Sequence, residues 1–284
     1  MSVVFPGSCS GPIEPSPPPP PPAGIPTLIG AGDIVVCGSS GHVATAAMMR
    51  PFPDATVFTA GDNVYPNGHP NDWRNCYDPW WGEFKSRTRP GIGNHDYETQ
   101  NGKPYFDYWG DQAGPRDAGY YTYVLGTWRI FAINSEIDTR PGSPQYAWLQ
   151  NELNIDREPC MAAIWHKPLY SSGVNGPNPH MRDMYRLLYN ANAEIVINGH
   201  DHNYEVFHPQ DADGRRDDTK GIRQFVVGTG GVAVTDFPRL LPNSAYREQV
   251  QGVIKFDLDA NSYNWQFLSP QPPQTRHTGS GVCH

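Results

Sequence analysis

The chain lacks any apolar run of the roughly 18–20 residues that a membrane-spanning helix needs, so no helical membrane span is expected. Cysteine is sparse, with five in 284 residues: Cys9, Cys37, Cys76, Cys160 and Cys283. None forms a C-x-x-C pair, which argues against a zinc ribbon. Basic residues are in deficit, 21 Lys and Arg against 29 Asp and Glu, for a formal net charge of -8. Without a basic surplus, a nucleic-acid scaffold gripped through its phosphates is not an expected partner. The opening MSVVFPGSCS holds neither a basic stretch nor an apolar run of signal-peptide length.

Glycine (29) and proline (30) are abundant instead, so long and numerous loops are expected. PIEPSPPPPPPAGIP reads as polyproline II. Residues 1–26 are therefore expected to be a proline-rich linker, a plain spacer or an SH3-type ligand. A single folded domain is expected over 27–269, and a flexible Pro/Gly/Ser-rich tail over 270–284. An odd cysteine count leaves one thiol unpaired within the chain. Cys37 and Cys76 each follow a chemically interesting stretch by a few residues; a disulfide and a pair of buried thiols are both open readings.

Between the ends, short β-type runs recur: TLIGAGD, ATVFTAGD, RPGIGNHD, CMAAIWHK, AEIVINGHDH and RQFVVGTGG. Two longer runs, YYTYVLGTWRIFAIN and QGVIKFDLDANSYNWQFLS, are split by turn signals and read as hairpins. Helical patterns lie between. Met181, Met184, Tyr185 and Leu188 share one face, as do Tyr146, Leu149 and Leu153; in GHVATAAMMR the expected inner face is Val43, Ala44, Ala47 and Met48. Strands alternating with helices, plus hairpins, imply a layered α/β fold with mixed sheets.

Most of the single runs end in a side chain able to hold a metal: Asp33; Asp62 with Tyr65 three residues on; Asn94, His95 and Asp96; His166; then His200 and His202. In α/β sheets, ligands bind where loops leave the carboxyl ends of strands. Taken alone, Asp33, Asp62 and Asn94 read as turn or cap residues, and His166 as a core histidine. The two histidines of GHDH, at i and i+2, would face one way on an extended chain. So many carboxylates and imidazoles gathered at strand ends need shared partners. Carboxylate, imidazole and one amide oxygen suit first-row ions such as iron, zinc or manganese. The donors exceed what one ion uses, which points to two ions roughly 3.5 Å apart with Asp62 as the bridge.

In this order, GD, GDNVY, GNHD, WH and GHDH resemble the five blocks of the calcineurin-like metallophosphoesterases, and Tyr65 resembles the purple acid phosphatase branch. The resemblance spans about Leu28 to Phe207. It implies two mixed β-sheets packed as a sandwich, flanked by helices, with a dinuclear site at the strand ends. It implies that Asp33, Tyr65 and His202 hold a ferric ion. Asn94, His166 and His200 would hold a divalent ion (zinc, iron or manganese). Asp62 would bridge the two, and His95 would stand near the leaving group. The activity implied is hydrolysis of phosphate monoesters by a metal-bound hydroxide, with His95 as proton donor, oriented by Asp96 or a backbone carbonyl. Phosphodiester or nucleotide hydrolysis on the same site, and a catalytically silent metal-binding surface protein, are the alternatives. A small-molecule phosphate ester is the expected partner, and a secreted or cell-surface location the expected setting. Val35 stands where the family often has glycine, which questions the turn after Asp33. Of possible substrate-contacting histidines, only His180 is a candidate.

Overall fold

The computed structural model describes residues 24–155 and 158–284. The linker expected over 1–26 lies almost wholly outside the described residues; the first strand begins at Thr27.

Two mixed sheets carry the fold. The first has six strands in the order β15-β14-β13-β1-β3-β5. Its members are β1 (Thr27–Ala31), β3 (Thr56–Thr59), β5 (Thr88–Arg89), β13 (Val253–Leu258), β14 (Ser262–Leu268) and β15 (Thr275–Val282). The second has seven, β12-β10-β11-β9-β8-β7-β6. These are β6 (Tyr121–Leu125), β7 (Trp128–Ala132), β8 (Cys160–Ile164), β9 (Ile195–Asn198), β10 (Tyr204–Phe207), β11 (Arg223–Val227) and β12 (Ser244–Glu248). A short pair, β2 (Val35–Val36) with β4 (Val64–Tyr65), stands beside them. Both expected hairpins form, β6–β7 and β13–β14, at the expected turns.

Side-chain alternation explains the layering. Along β9, Ile195 and Ile197 join the core shared by the two sheets. Val196 instead faces a second cluster with Leu149, Met184, Tyr185 and Leu188. Those four residues come from two helices, α5 (Pro144–Leu153) and α6 (Arg182–Asn190). Strands covered on both faces read as continuous apolar runs, which is how IVI and AAI appear in the sequence. The remaining helices are α1 (Gly41–Met49), α2 (Pro70–Asp72), α3 (Asn94–Tyr97) and α4 (Lys103–Trp109). Among the described residues, no helix is long and apolar enough to cross a membrane.

The fold corrects two expectations. In α1 the buried face is His42, Thr45, Ala46 and Met49, opposite to the expected one. Two polar residues can sit inward there because their side chains have partners: the Thr45 hydroxyl bonds the Gly230 carbonyl at 2.5 Å and accepts from Trp81 Nε1 at 3.3 Å, and the His42 ring Nδ1 lies 3.5 Å from the Ser39 hydroxyl. The tail is not loose either. Its last eleven residues include β15, paired along β14, and Cys283 is bonded to Cys160. Glycine and serine made 275–282 look like a linker. In fact Gly279 and Gly281 lie opposite Trp265 and Tyr263 of β14, whose rings cover the positions a Cβ would take, at 2.1 and 2.4 Å. Glycine there makes room for cross-strand aromatics.

Candidate metal centre

The site gathers at the carboxyl ends of parallel strands. β1, β3 and β5 run parallel in one sheet, and β8 and β9 in the other. Asp33 follows β1 by two residues, Asp62 follows β3 by three, His166 follows β8 by two, and His200 follows β9 by two. The backbone is bent hard at these exits. Asp33, Asp62 and His200 all have positive φ, at 60°, 50° and 73°, a region costly for residues with a Cβ. The glycines before the donors make the close approach possible. A Cβ on Gly93 would meet Asp62 Oδ1 at 2.3 Å, and one on Gly199 would meet Asp33 Oδ2 at 2.6 Å. Val35 replaces no needed glycine: Asp33 takes the turn, and Val35 pairs extended with Val64.

Two groups of donors share Asp62. In the first, the Tyr65 hydroxyl is 2.7 Å from Asp33 Oδ1, 2.8 Å from Asp62 Oδ2 and 3.1 Å from His202 Nε2. In the second, His166 Nε2 is 3.1 Å from the same Asp62 Oδ2 and 3.2 Å from His200 Nδ1. Asn94 Oδ1 is buried and has no hydrogen-bond partner among the described residues. Backbone and side chain then lock the ring and carboxylates. His166 Nδ1 faces the Ala60 carbonyl at 2.8 Å, which turns Nε2 inward; His200 N–H donates to Asp33 Oδ2, and His95 N–H to Asp62 Oδ1, both at 2.8 Å. Such outer bonds orient metal-binding side chains.

The electrostatics suit cations. Burial works against a charged His166, but Asp62 and Asp33 overcome it and lift its pKa to about 10. Burial, together with Asp33 and Asp62, holds the Tyr65 phenol far above its usual value. Burial and the His166 charge push His200 down to about 3. In the ion-free chain a protonated His166 thus offsets part of the charge of two buried carboxylates, and the neutral Tyr65 hydroxyl lies in hydrogen-bond reach of both. Two cations would take over that task, and Asn94 Oδ1 would gain the partner it lacks. The donor set fits a pair of metal ions.

GHDH does not act as an extended strand. β9 ends at Asn198, and the left-handed His200 sends its ring to His166 while His202 turns to Asp33 and Tyr65. Asp201 between them is buried and anchors the loop above, accepting from the backbone N–H groups of Asn175 and Gly176. Asp96 does not orient His95, whose Nδ1 faces the Pro66 carbonyl, with Glu98 at 3.3 Å. Asp96 lies buried beneath the two turns, taking bonds from Asn63 and Gly93, and burial plus the nearby Asp62 charge raise its pKa to about 7. His180 stands apart, its Nε2 3.1 Å from the Ser135 carbonyl. Sequence reasoning missed Asn63, Asp201 and the half-buried pair of Glu136 with Lys167, which follows His166. The only signal for the first two was their position inside the motifs.

Residues 28–204 match the family model described as calcineurin-like phosphoesterase. The chain belongs to the calcineurin-like phosphoesterase family. Within it, the chain is 31% identical over 161 residues to the probable purple acid phosphatase 20 of Arabidopsis thaliana, covering 48% of this chain and 38% of that one. It is 27% identical over 243 residues to the probable inactive purple acid phosphatase 27 of the same plant, covering 70% and 38%. The chain thus spans well under half the length of these relatives. The purple acid phosphatase PPD1 from yellow lupin (Lupinus luteus) seeds shares the fold, with a TM-score of 0.78 at 22% identity, over 90% of this chain and 53% of that one. The two mixed sheets flanked by helices are the fold expected of this phosphoesterase family.

Proposed function

We propose that this phosphoesterase-family chain is a dinuclear metal hydrolase of phosphate monoesters. The observation that carries the reading is Asp62 Oδ2, reached by Tyr65 from one donor group and by His166 from the other. Asp33, Tyr65 and His202 would hold a ferric ion; Asn94, His166 and His200 a divalent one, zinc, iron or manganese; Asp62 would bridge. When bound, the pair would supply Lewis acidity and a nucleophile near neutral or acidic pH.

The chain's own groups do the rest. His95 is the one imidazole of the site that is not built into either donor group. Its Nδ1 is held by Pro66, and its Nε2 is 4.0 Å from Asp62 Oδ2. With its side chain 30% exposed, the ring faces the opening and is placed to hand a proton to a departing alkoxide. The His95 N–H bond to Asp62 Oδ1 fixes the turn beneath it. Two disulfides, Cys37–Cys76 and Cys160–Cys283, suit an oxidising compartment and support a secreted or cell-surface setting.

The test is elemental analysis paired with hydrolysis of an aryl monophosphate and the matching bis-aryl ester. Two metal ions per chain and a preference for the monoester are expected. Two ions with diester preference would select a phosphodiesterase. The relative named inactive favours a second reading, a silent metal binder; two bound ions with no hydrolysis of either ester would select that. Tyr65 gives a separate check. Iron-loaded protein is expected to show a visible charge-transfer band, and Tyr65→Phe to lose it while keeping iron. A band that survives in Tyr65→Phe would remove Tyr65 from the ligands.

A further inference from the structure

β7, β8 and β9 are neighbours and run parallel in the seven-stranded sheet, so the residues leaving their carboxyl ends stand side by side. The ladder continues past the strands: Ile133 N–H bonds the Ile164 carbonyl at 2.9 Å, and Gly199 N–H bonds the His166 carbonyl at 3.0 Å. Two of the three exits carry His166 and His200. The third carries Ser135 and Glu136, which neither donor group uses. Glu136 takes Lys167 Nζ at 2.6 Å and the Ser135 hydroxyl at 2.8 Å, and that hydroxyl accepts from Lys167 N–H at 3.0 Å. On its other side the loop is tied to α3, the helix of Asn94 and His95. Asn134 Oδ1 accepts from Glu136 N–H at 2.9 Å, and Asn134 Nδ2 donates to the Tyr97 hydroxyl at 2.7 Å. The Glu136–Lys167 pair is thus bonded both to the turn of His166 and, through Asn134, to the element that bears Asn94.

An ammonium group is a poor neighbour for a cation site. Its field reaches one of the donors: burial and the His166 charge hold His200 low, and Lys167 adds to them. Glu136 acts the other way, reinforcing Asp62 and Asp33 as they keep His166 charged against burial. A like charge this near weakens a metal ion, so holding metal gives no reason for Lys167. Nor is the ammonium used up. It has three N–H donors, and among the described residues Glu136 is its one hydrogen-bond partner. The Lys167 side chain keeps 23% exposure and that of Glu136 8%, so the cation is the accessible member of the pair. What opposes a metal ion favours the anion that comes to it.

We infer that Lys167 is a substrate-binding residue whose ammonium donates to a non-bridging oxygen of the phosphate at the metal centre, with Glu136 and Ser135 holding it in place; the inference rests on the phosphoesterase reading. A monoester dianion gains more from this charge than a diester monoanion, so Lys167 favours monoesters. A charge-assisted hydrogen bond at a partly exposed site is worth about a factor of ten in affinity.

The test is calorimetric titration of the metal-loaded chain with inorganic phosphate, alongside KM and kcat for an aryl monophosphate. Lys167→Met is expected to weaken phosphate binding and to raise KM, each about ten-fold, with kcat within about two-fold of the wild type and metal content unchanged. Lys167→Arg is expected to keep most of the affinity. Glu136→Gln retains an acceptor for Lys167 and removes only the opposing charge, so it is expected to bind phosphate as tightly as the wild type or more tightly. A purely structural tie between the two residues would instead make both variants bind phosphate less well. Weaker binding in Glu136→Gln, unchanged binding in Lys167→Met, or loss of metal from Lys167→Met would overturn the inference. If the wild type hydrolyses no phosphate ester, the phosphoesterase reading fails and the titration alone judges Lys167. Phosphate binding that depends on Lys167 then supports the inference; binding indifferent to Lys167→Met, or absent from the wild type, rejects it.

Discussion

Asp62→Asn is expected to lower turnover of an aryl phosphate by at least about 10³-fold with the fold intact. One carboxylate oxygen serves both donor groups, at 2.8 Å from Tyr65 and 3.1 Å from His166. Removing its charge weakens both halves of the centre at once. Loss of a single stabilising donor in a preorganised site already costs about 10²–10³ in rate, and a shared ligand costs more. Asparagine suits the backbone, since Asp62 sits at φ 50°, where Asn and Asp are the best tolerated side chains after glycine. It also keeps an acceptor for the His95 N–H. The variant should therefore melt cooperatively, with its circular dichroism unchanged and fewer than two metal ions per chain. A variant that kept two ions and full turnover would remove Asp62 from the bridge and with it the dinuclear reading.

The convergence of the candidate metal donors was legible in the sequence because it is built from local grammar. Each donor lies within a few residues of a strand end, so a strand, a glycine and a polar residue in succession already tell where the side chain goes. The five blocks in order did the rest. What the blocks could not tell was orientation. The two histidines of GHDH reach different donor groups because His200 adopts a left-handed backbone, a conformation that pairing rules for extended chains do not anticipate. Asp96 follows His95 directly, yet it bonds Asn63 and Gly93 instead, because it sits in the first turn of α3, which carries it under the loop. The inner face of α1 was misread for a related reason. Thr45 counts as polar in any periodicity, but Gly230 and Trp81, remote in sequence, supply its hydroxyl with partners. Residues whose burial depends on partners far along the chain are the ones a single sequence conceals.

The Cys160–Cys283 bridge belongs to that class, and its removal is expected to produce the largest loss of stability. It closes a loop of 123 residues, which by chain entropy alone corresponds to roughly 5 kcal/mol, with measured values for such bridges typically about 2–4 kcal/mol. The near end of the tail has other anchors, an Arg276–Glu248 ion pair and His277 stacked on Tyr246 with ring centres 4.0 Å apart, but its far end has few. β15 is the edge strand of its sheet, joined to β14 alone. Beyond the strand, Cys283 N–H bonds the Asn261 carbonyl at 2.9 Å and His284 N–H bonds Glu194 Oε1 at 3.1 Å. Without the bridge the strand would fray from Val282 and uncover Tyr263 and Trp265, which pack on Gly281 and Gly279. Cys283→Ala is therefore expected to lose about 3 kcal/mol and to melt about 10 °C lower. The metal donors lie on other loops, so metal content below the transition should match the wild type. The double variant Cys160→Ala with Cys283→Ala should lose no more than the single one, since both remove the same cross-link. A single variant melting within about 2 °C of the wild type would show that pairing with β14, together with the contacts of Arg276 and His277, holds the tail, and that the bridge adds nothing further to the folded state.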